Sequence, residues 1–137
     1  MLFKMNTTKS KSKILFLIPS LVGGGAERTL VNILNHLNTD KSFEITLAVV
    51  AYTGVYKNQI PENVKVIPLF KNNSLVRILA FLQKKLGFKY FFKKRVEKKI
   101  NENYDTVISF LDGNFTDLIF FLPHIKKRIS WVPSSYK

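Results

Sequence analysis

The sequence contains no cysteine, which excludes a disulfide framework and a thiolate metal site. Its two histidines, His36 and His124, lie far apart in the chain and predict surface or helix-end positions, not a metal site. No apolar run approaches the roughly 18 residues that a membrane-spanning helix needs. These absences fit a cytoplasmic protein.

Acidic residues are also scarce. There are 9 Asp and Glu against 22 Lys and Arg, which gives a formal net charge of +13 at pH 7. Such an excess predicts anionic partners, namely phosphates, nucleic acid or an acidic membrane surface. With 137 residues, of which 46% are hydrophobic, the chain is long and apolar enough to form a globular core.

The first residues are polar and basic. We expect residues 1–12 to form a flexible basic tail and residues 13–137 to form one domain. A secretory signal is the alternative for this start, because the basic stretch precedes the apolar residues 14–18. Pro19-Ser20 interrupts that apolar run early, and no small-residue cleavage pattern follows it.

Strand-like and helix-like patterns alternate along the chain. Buried or alternating apolar runs predict strands at 14–18, 43–50, 64–69, 106–110 and 128–132. Helical periodicity predicts helices at 26–37 and 116–122, and helical structure over 75–102 in two pieces that Gly87 interrupts. This alternation predicts an α/β fold, a Rossmann-like parallel sheet with flanking helices. Ligands of such sheets bind beyond the carboxyl ends of the strands, where the loops at 19–25, 51–54, 111–114 and 133–136 would meet.

The turn between the first strand and the first helix contains Gly23-Gly24-Gly25. Unpaired N–H groups and the positive end of the helix dipole make such a turn an anion site, and glycine allows close approach. A tight turn without a ligand explains the triplet equally well. A Walker loop is excluded because Ala26-Glu27-Arg28 follows, and a dinucleotide site is disfavoured because no acid ends the second strand at Val49-Val50-Ala51-Tyr52.

Three stretches resemble the retaining glycosyltransferases of family 4. Their first strand is followed by a G-G-A-E-R loop and a helix, as in Ser20-Leu21-Val22-Gly23-Gly24-Gly25-Ala26-Glu27-Arg28. Ile108-Ser109-Phe110-Leu111-Asp112-Gly113-Asn114 resembles the fourth strand and acidic turn of that family, and Ile129-Ser130-Trp131-Val132-Pro133-Ser134-Ser135-Tyr136 resembles the next strand and its loop. The three stretches occur in the order and at the spacing that the family would give.

The resemblance implies a GT-B enzyme, in which two Rossmann-like domains face a cleft. Such enzymes move a sugar from a UDP- or GDP-sugar donor to a glycan or lipid-linked acceptor in glycoconjugate biosynthesis, with no essential metal or cofactor. This chain would be the N-terminal, acceptor-side half of the fold, incomplete and without the C-terminal donor-binding domain. The family's E-x7-E motif has no counterpart here, so we expect the 137-residue chain to be inactive alone.

The same resemblance implies a set of substrate-binding residues. The catalytic group stays open: Asp112 and Glu27 are the candidates, expected to position substrate or loop. Arg28 faces either the cleft or the helix surface, and Pro133 stands where many relatives have a His that can shuttle a proton. The implied substrate-binding residues are Gly23, Gly24, Gly25, Ala26, Glu27, Arg28, Asp112, Gly113, Asn114 and Ser134.

The region 77–99 is strongly basic and supports a second hypothesis, a non-catalytic module. A basic helix gains about 1 kcal/mol per Lys or Arg near an anionic lipid surface, which would place the protein on the inner membrane face. A core helix with a solvated basic back is the alternative. Nucleic acid is the other anionic partner that charge alone allows for such a module, but it is disfavoured because no zinc-finger, RNP or helix-turn-helix signature accompanies the charge. The expected membrane-facing residues are Lys84, Lys85, Lys89, Phe91, Phe92, Lys93, Lys94 and Arg95.

Overall fold

A computed structural model describes residues 10–71, 89–110, 122 and 125–131. Within these ranges, two helices and five strands are present, with a single-turn 3-10 helix at Val55–Gln59 that the sequence patterns did not predict. The predicted helix at 75–102 is described from residue 89, and the predicted helix at 116–122 is described only at Leu122. The elements are β1 (Ser12–Ile18), α1 (Gly25–Leu37), β2 (Phe43–Ala51), β3 (Lys65–Phe70), α2 (Lys89–Lys99), β4 (Thr106–Ser109) and β5 (Lys127–Ser130).

The five strands form one parallel sheet in the order β3-β2-β1-β4-β5. The prediction of an α/β, Rossmann-like parallel sheet with flanking helices is therefore confirmed. The chain begins in the centre at β1, moves outward through β2 and β3, and returns to the other side of β1 with β4. The strand order therefore reverses between β1 and β4, which is the switch point where sheets of this type bind ligands.

Each face of the central strand is covered by a different helix. Phe16 and Ile18 of β1 belong to the buried cluster that contains Leu30 and Leu34 of α1. Leu15 and Leu17 point the other way, into the cluster that contains Val96 of α2 and Ile100, the residue after α2. Because both faces are buried, β1 needs an unbroken apolar run, and its sequence shows no polar alternation.

Asp105 joins three strands at the amino-end edge of the sheet, the edge where the strands begin. Its N–H donates to Lys13 O (2.9 Å), its Oδ2 accepts from the Lys13 N–H (2.9 Å), and its carbonyl accepts from the Lys127 N–H (3.1 Å). The Lys13 hydrogen bond and, to a smaller extent, the nearby Lys126 ammonium lower the pKa of Asp105. Asp105 thereby fixes the register of β1, β4 and β5 at their first residues.

Glu102 forms a second polar group at the same edge. Its carboxylate accepts a hydrogen bond from Lys65 and lies 3.5 Å from Lys13 Nζ, which is also 3.8 Å from the carboxylate of Glu44. The Lys65 hydrogen bond lowers the pKa of Glu102, and the same contact raises the pKa of Lys65. These side chains connect β1, β2, β3 and the loop before β4 through opposite charges.

Candidate functional site

The opposite, carboxyl-end edge of the sheet contains an open cleft of about 540 Å³. It lies at the ends of β1 and β4, where the strand order reverses, with the first turn of α1 on one side and the residue after β5 on the other. Its position is therefore the one that doubly wound parallel sheets use for ligands. The lining residues are Ile18, Pro19, Gly25, Ala26, Glu27, Thr29, Phe110 and Trp131.

The three glycines of the turn have three different roles. Gly23 has φ +136°, a backbone conformation that side chains strain. Gly24 is the N-cap of α1, and no side-chain hydrogen bond caps the helix there. A Cβ at Gly25 would meet no atom within 4 Å, so this glycine leaves open space on the cleft wall. The first N–H groups of α1 therefore have no side-chain cap, and two of the first helical residues, Gly25 and Ala26, line the cleft.

Glu27 is the acid of this turn and lies in the first turn of α1. A Cβ at Gly24 would lie 2.5 Å from Glu27 Oε2, so the carboxylate folds back over the N-cap residue. The position favours a negative charge because of the helix dipole. Glu27 therefore stabilises the turn electrostatically, and its charge opposes any second anion placed at the same point.

Gly54, in the loop after β2, packs against the glycine turn, and its positive φ and its contact with Leu21 were not predicted from the sequence. Its φ is +124°, and a Cβ there would overlap the Leu21 carbonyl. The two loops are joined by the Leu21 N–H donating to Thr53 O (2.9 Å) and the Tyr56 N–H donating to Leu21 O (3.1 Å). The loop after β2 and the 3-10 helix thus fix the glycine turn. The sequence predicts that the loops at 19–25 and 51–54 share one edge of the sheet, but it does not predict this contact.

Aromatic side chains form the wall of the cleft across from α1. Phe110 is 4% exposed and follows β4, and its N–H donates to Leu17 O (2.8 Å). Trp131 follows β5, is 37% exposed, and its ring centroid lies 4.8 Å from that of Phe110. Trp131 therefore lines the cleft.

The structure brings together part of the predicted site. Gly25, Ala26 and Glu27 line the cleft, whereas Gly23 and Gly24 form the turn that leads into it. Arg28 is exposed on α1 and is not among the lining residues. The remaining predicted site residues lie outside the described part of the chain: Asp112, Gly113, Asn114 and Ser134, together with Pro133.

The predicted membrane-facing residues divide in a similar way. Lys93 and Lys94 are exposed on α2, and Lys93 pairs with Glu97 at 4.0 Å. Arg95 differs, because its Nε donates to Leu69 O (2.8 Å) and its guanidinium lies 5.5 Å from the Phe70 ring. Arg95 therefore docks α2 onto β3. Lys89, Phe91 and Phe92 belong to the first turns of α2, and Lys84 and Lys85 lie outside the described residues.

Within the described ranges, no group of three or more His, Asp or Glu side chains is arranged to hold a metal ion. Among the helices in those same ranges, none is both long and apolar enough to cross a bilayer.

Comparison of the chain with protein-family models, with curated proteins and with solved structures gave no match in any of the three.

Proposed function

We propose that this chain is the N-terminal, acceptor-side domain of a retaining glycosyltransferase of the GT-B type. The full enzyme would transfer a sugar from a UDP- or GDP-sugar to a glycan or lipid-linked acceptor. One observation carries the proposal: Gly25, Ala26 and Glu27 of the G-G-A-E-R stretch line an open cleft at the switch point of a Rossmann-like sheet. The order of the three family-like stretches along the chain supports the same function.

The chemistry of glycosyl transfer suits this cleft wall. Departure of a nucleoside diphosphate leaves negative charge on the leaving oxygen, which preorganised N–H donors stabilise. The uncapped first turn of α1 provides such donors, and the missing side chain at Gly25 lets phosphate oxygens approach them. Glu27 then acts as a positioning residue of the turn, since its carboxylate lies over Gly24.

Binding of UDP and of pyrophosphate to the 137-residue chain tests this role. Gly25→Ala adds one methyl group to the cleft wall without meeting any neighbouring atom, so the fold is preserved while phosphate approach is obstructed. Isothermal titration is expected to show an affinity loss of about tenfold, equivalent to about 1.4 kcal/mol.

The matched control is Lys98→Ala, which removes one exposed charge from α2 and leaves the cleft intact. If the diphosphate binds through overall positive charge alone, Lys98→Ala weakens binding and Gly25→Ala does not. That pattern, or equal affinity of all three proteins at 0.15 M salt, would exclude the glycine turn as the diphosphate site.

The exposed cations of α2 favour a second candidate function, contact with an anionic membrane. Lys93, Lys94 and Lys98 are exposed, whereas Val96 is buried against the sheet. This part of α2 therefore offers charge to a lipid surface and no apolar anchor. Co-sedimentation with vesicles containing phosphatidylserine should fall for Lys93→Glu/Lys98→Glu and with rising salt. Salt-independent binding, or unchanged binding of that variant, would contradict this candidate.

A further inference from the structure

Trp131 is the only tryptophan in the sequence, and it stands at the cleft with much of its side chain exposed. A large aromatic ring usually contributes most to a fold when it is buried. Phe110, directly beside it, is buried almost completely. Of the two neighbouring rings that line the cleft, Phe110 thus belongs to the core and Trp131 presents the more accessible surface.

The indole is held in place from two directions. The backbone N–H of Trp131 donates to Ser109 O (2.8 Å), and this hydrogen bond continues the pairing of β5 with β4. Its ring packs on Phe110 with the two ring planes tilted by 49°, and Phe110 packs in turn on Phe16, 6.3 Å away between centroids. One side of the indole is supported by this aromatic series from the core, and the side chain borders open space in the cleft.

A second part of the cleft wall is formed by Gly25 and Ala26 at the start of α1. A ligand that contacts both walls needs a ring at one end and an anion at the other. We propose that Trp131 stacks on the ring of a phosphate-bearing ligand, either a nucleobase or a pyranose, and so selects ring-bearing phosphates over simple ones. This inference rests on the proposed function, because it places the same ligand class in the same cleft.

The fluorescence of Trp131 reports on the proposal directly, since no second tryptophan contributes. Titration with UMP and with glucose 1-phosphate should change the emission and give affinities about fivefold or more above that of inorganic phosphate, the lower end of what aromatic stacking supplies. A stronger effect of UMP assigns the ring to a nucleobase, and a stronger effect of glucose 1-phosphate assigns it to a sugar.

Two variants separate stacking from a purely structural role. Trp131→Phe keeps an aromatic face and should retain most of the preference for ring-bearing phosphates, measured by calorimetry. Trp131→Leu keeps an apolar side chain of useful size and should bind all phosphates with the same affinity. Thermal melts of both variants show whether the domain remains folded during the titrations.

The outcomes distinguish this inference from the proposed function. If phosphates bind in a manner sensitive to Gly25→Ala but without any preference for rings, the Trp131 proposal is wrong and the diphosphate site stands. An unchanged preference in Trp131→Leu has the same meaning. If neither UMP, glucose 1-phosphate, UDP nor pyrophosphate binds to the folded chain, both proposals are contradicted.

Discussion

The two edges of the sheet are built from different chemistry. At the amino-end edge, the acidic residues are engaged: Asp105 pins three strands and Glu102 bridges Lys65 and Lys13. At the carboxyl-end edge, the described residues include the acid Glu27, two glycines with positive φ and an uncapped helix start beside an open cleft. The amino-end edge thus holds the strands together through polar contacts, whereas the carboxyl-end edge leaves backbone and aromatic surface accessible.

The comparison of the two edges shows where the few carboxylates of this basic chain lie: most of those described here form hydrogen bonds or ion pairs at the amino-end edge. With 9 acids against 22 basic residues, each acid placed in an ion pair is unavailable elsewhere. Asp40, which accepts from the Ser42 N–H (2.8 Å), adds another acid to the amino-end side. Among the described residues that line the carboxyl-end cleft, Glu27 is the one acid, and its carboxylate lies over Gly24, which leaves the wall at Gly25 and Ala26 for an anionic ligand.

The largest expected effect concerns the backbone that shapes the carboxyl-end edge. Gly54→Ala would force a Cβ into the Leu21 carbonyl at a residue with φ +124°, and both strain and overlap are destabilising. We expect the free energy of unfolding to fall by about 3 kcal/mol, measured by urea denaturation. Gly25→Ala is the control, because its Cβ meets no atom within 4 Å.

Equal free energies of unfolding for Gly54→Ala and Gly25→Ala would contradict the structural role given to Gly54 at this edge. That result would mean that the loop after β2 does not hold the glycine turn, and that the turn is shaped by its own three glycines alone.

A smaller effect is expected from Asp105 at the amino-end edge. Asp105→Ala removes the acceptor of the Lys13 N–H, so the melting temperature should fall, whereas Asp105→Asn keeps an acceptor oxygen and should lower it less. The folded-state pKa of Asp105 lies below its ordinary value of 3.8. The charge therefore contributes stability above pH 3.8, and this contribution is lost as the pH falls through the lower, folded-state pKa.

Melting curves of wild type and Asp105→Asn between pH 2 and pH 7 measure this dependence. The two proteins should differ at pH 7 and converge at the acid end. A difference in melting temperature that grows as the pH falls would contradict the claim that the Asp105 carboxylate stabilises the strand pairing through its charge.

The smallest expected effect belongs to the Lys65–Glu102 pair. Both side chains are substantially exposed, at 55% and 33%, so solvent screens their attraction. A double-mutant cycle with Lys65→Met and Glu102→Gln should give a coupling free energy of at most about 1 kcal/mol. The coupling should decrease at 1 M salt, and a salt-independent value would show that the pair acts through packing instead of charge.

The periodicity of the sequence predicted the sheet well for a definite physical reason. The runs at 14–18 and 43–50 are apolar on both faces, and the stripe through Leu30 and Leu34 matches one face of a helix. Such patterns depend on neighbouring residues in the sequence, so they predict strands and helices without knowledge of tertiary contacts. The boundaries observed for the five strands differ from the predicted ones by a few residues at most.

The parts of the site that escaped prediction depend on contacts between distant residues. Nothing in the sequence around Gly54 indicates that its Cα approaches the Leu21 carbonyl, since the two residues belong to different loops. The docking of Arg95 on Leu69 O and Phe70 is similarly non-local. The sequence showed Arg95 as one more cation in a basic helix, whereas the fold gives it a partner on β3.

Backbone amide shifts of the 15N-labelled chain during titration with UDP test the central claim most directly. If the carboxyl-end edge is the ligand site, the largest shift changes should occur at Gly24, Gly25 and Ala26, with the Trp131 indole N–H responding as well. Amides at the amino-end edge, such as Asp105, should not move. Changes concentrated on Lys93 to Lys98 of α2, or spread evenly over the basic surface, would contradict the claim and favour a charge-driven module.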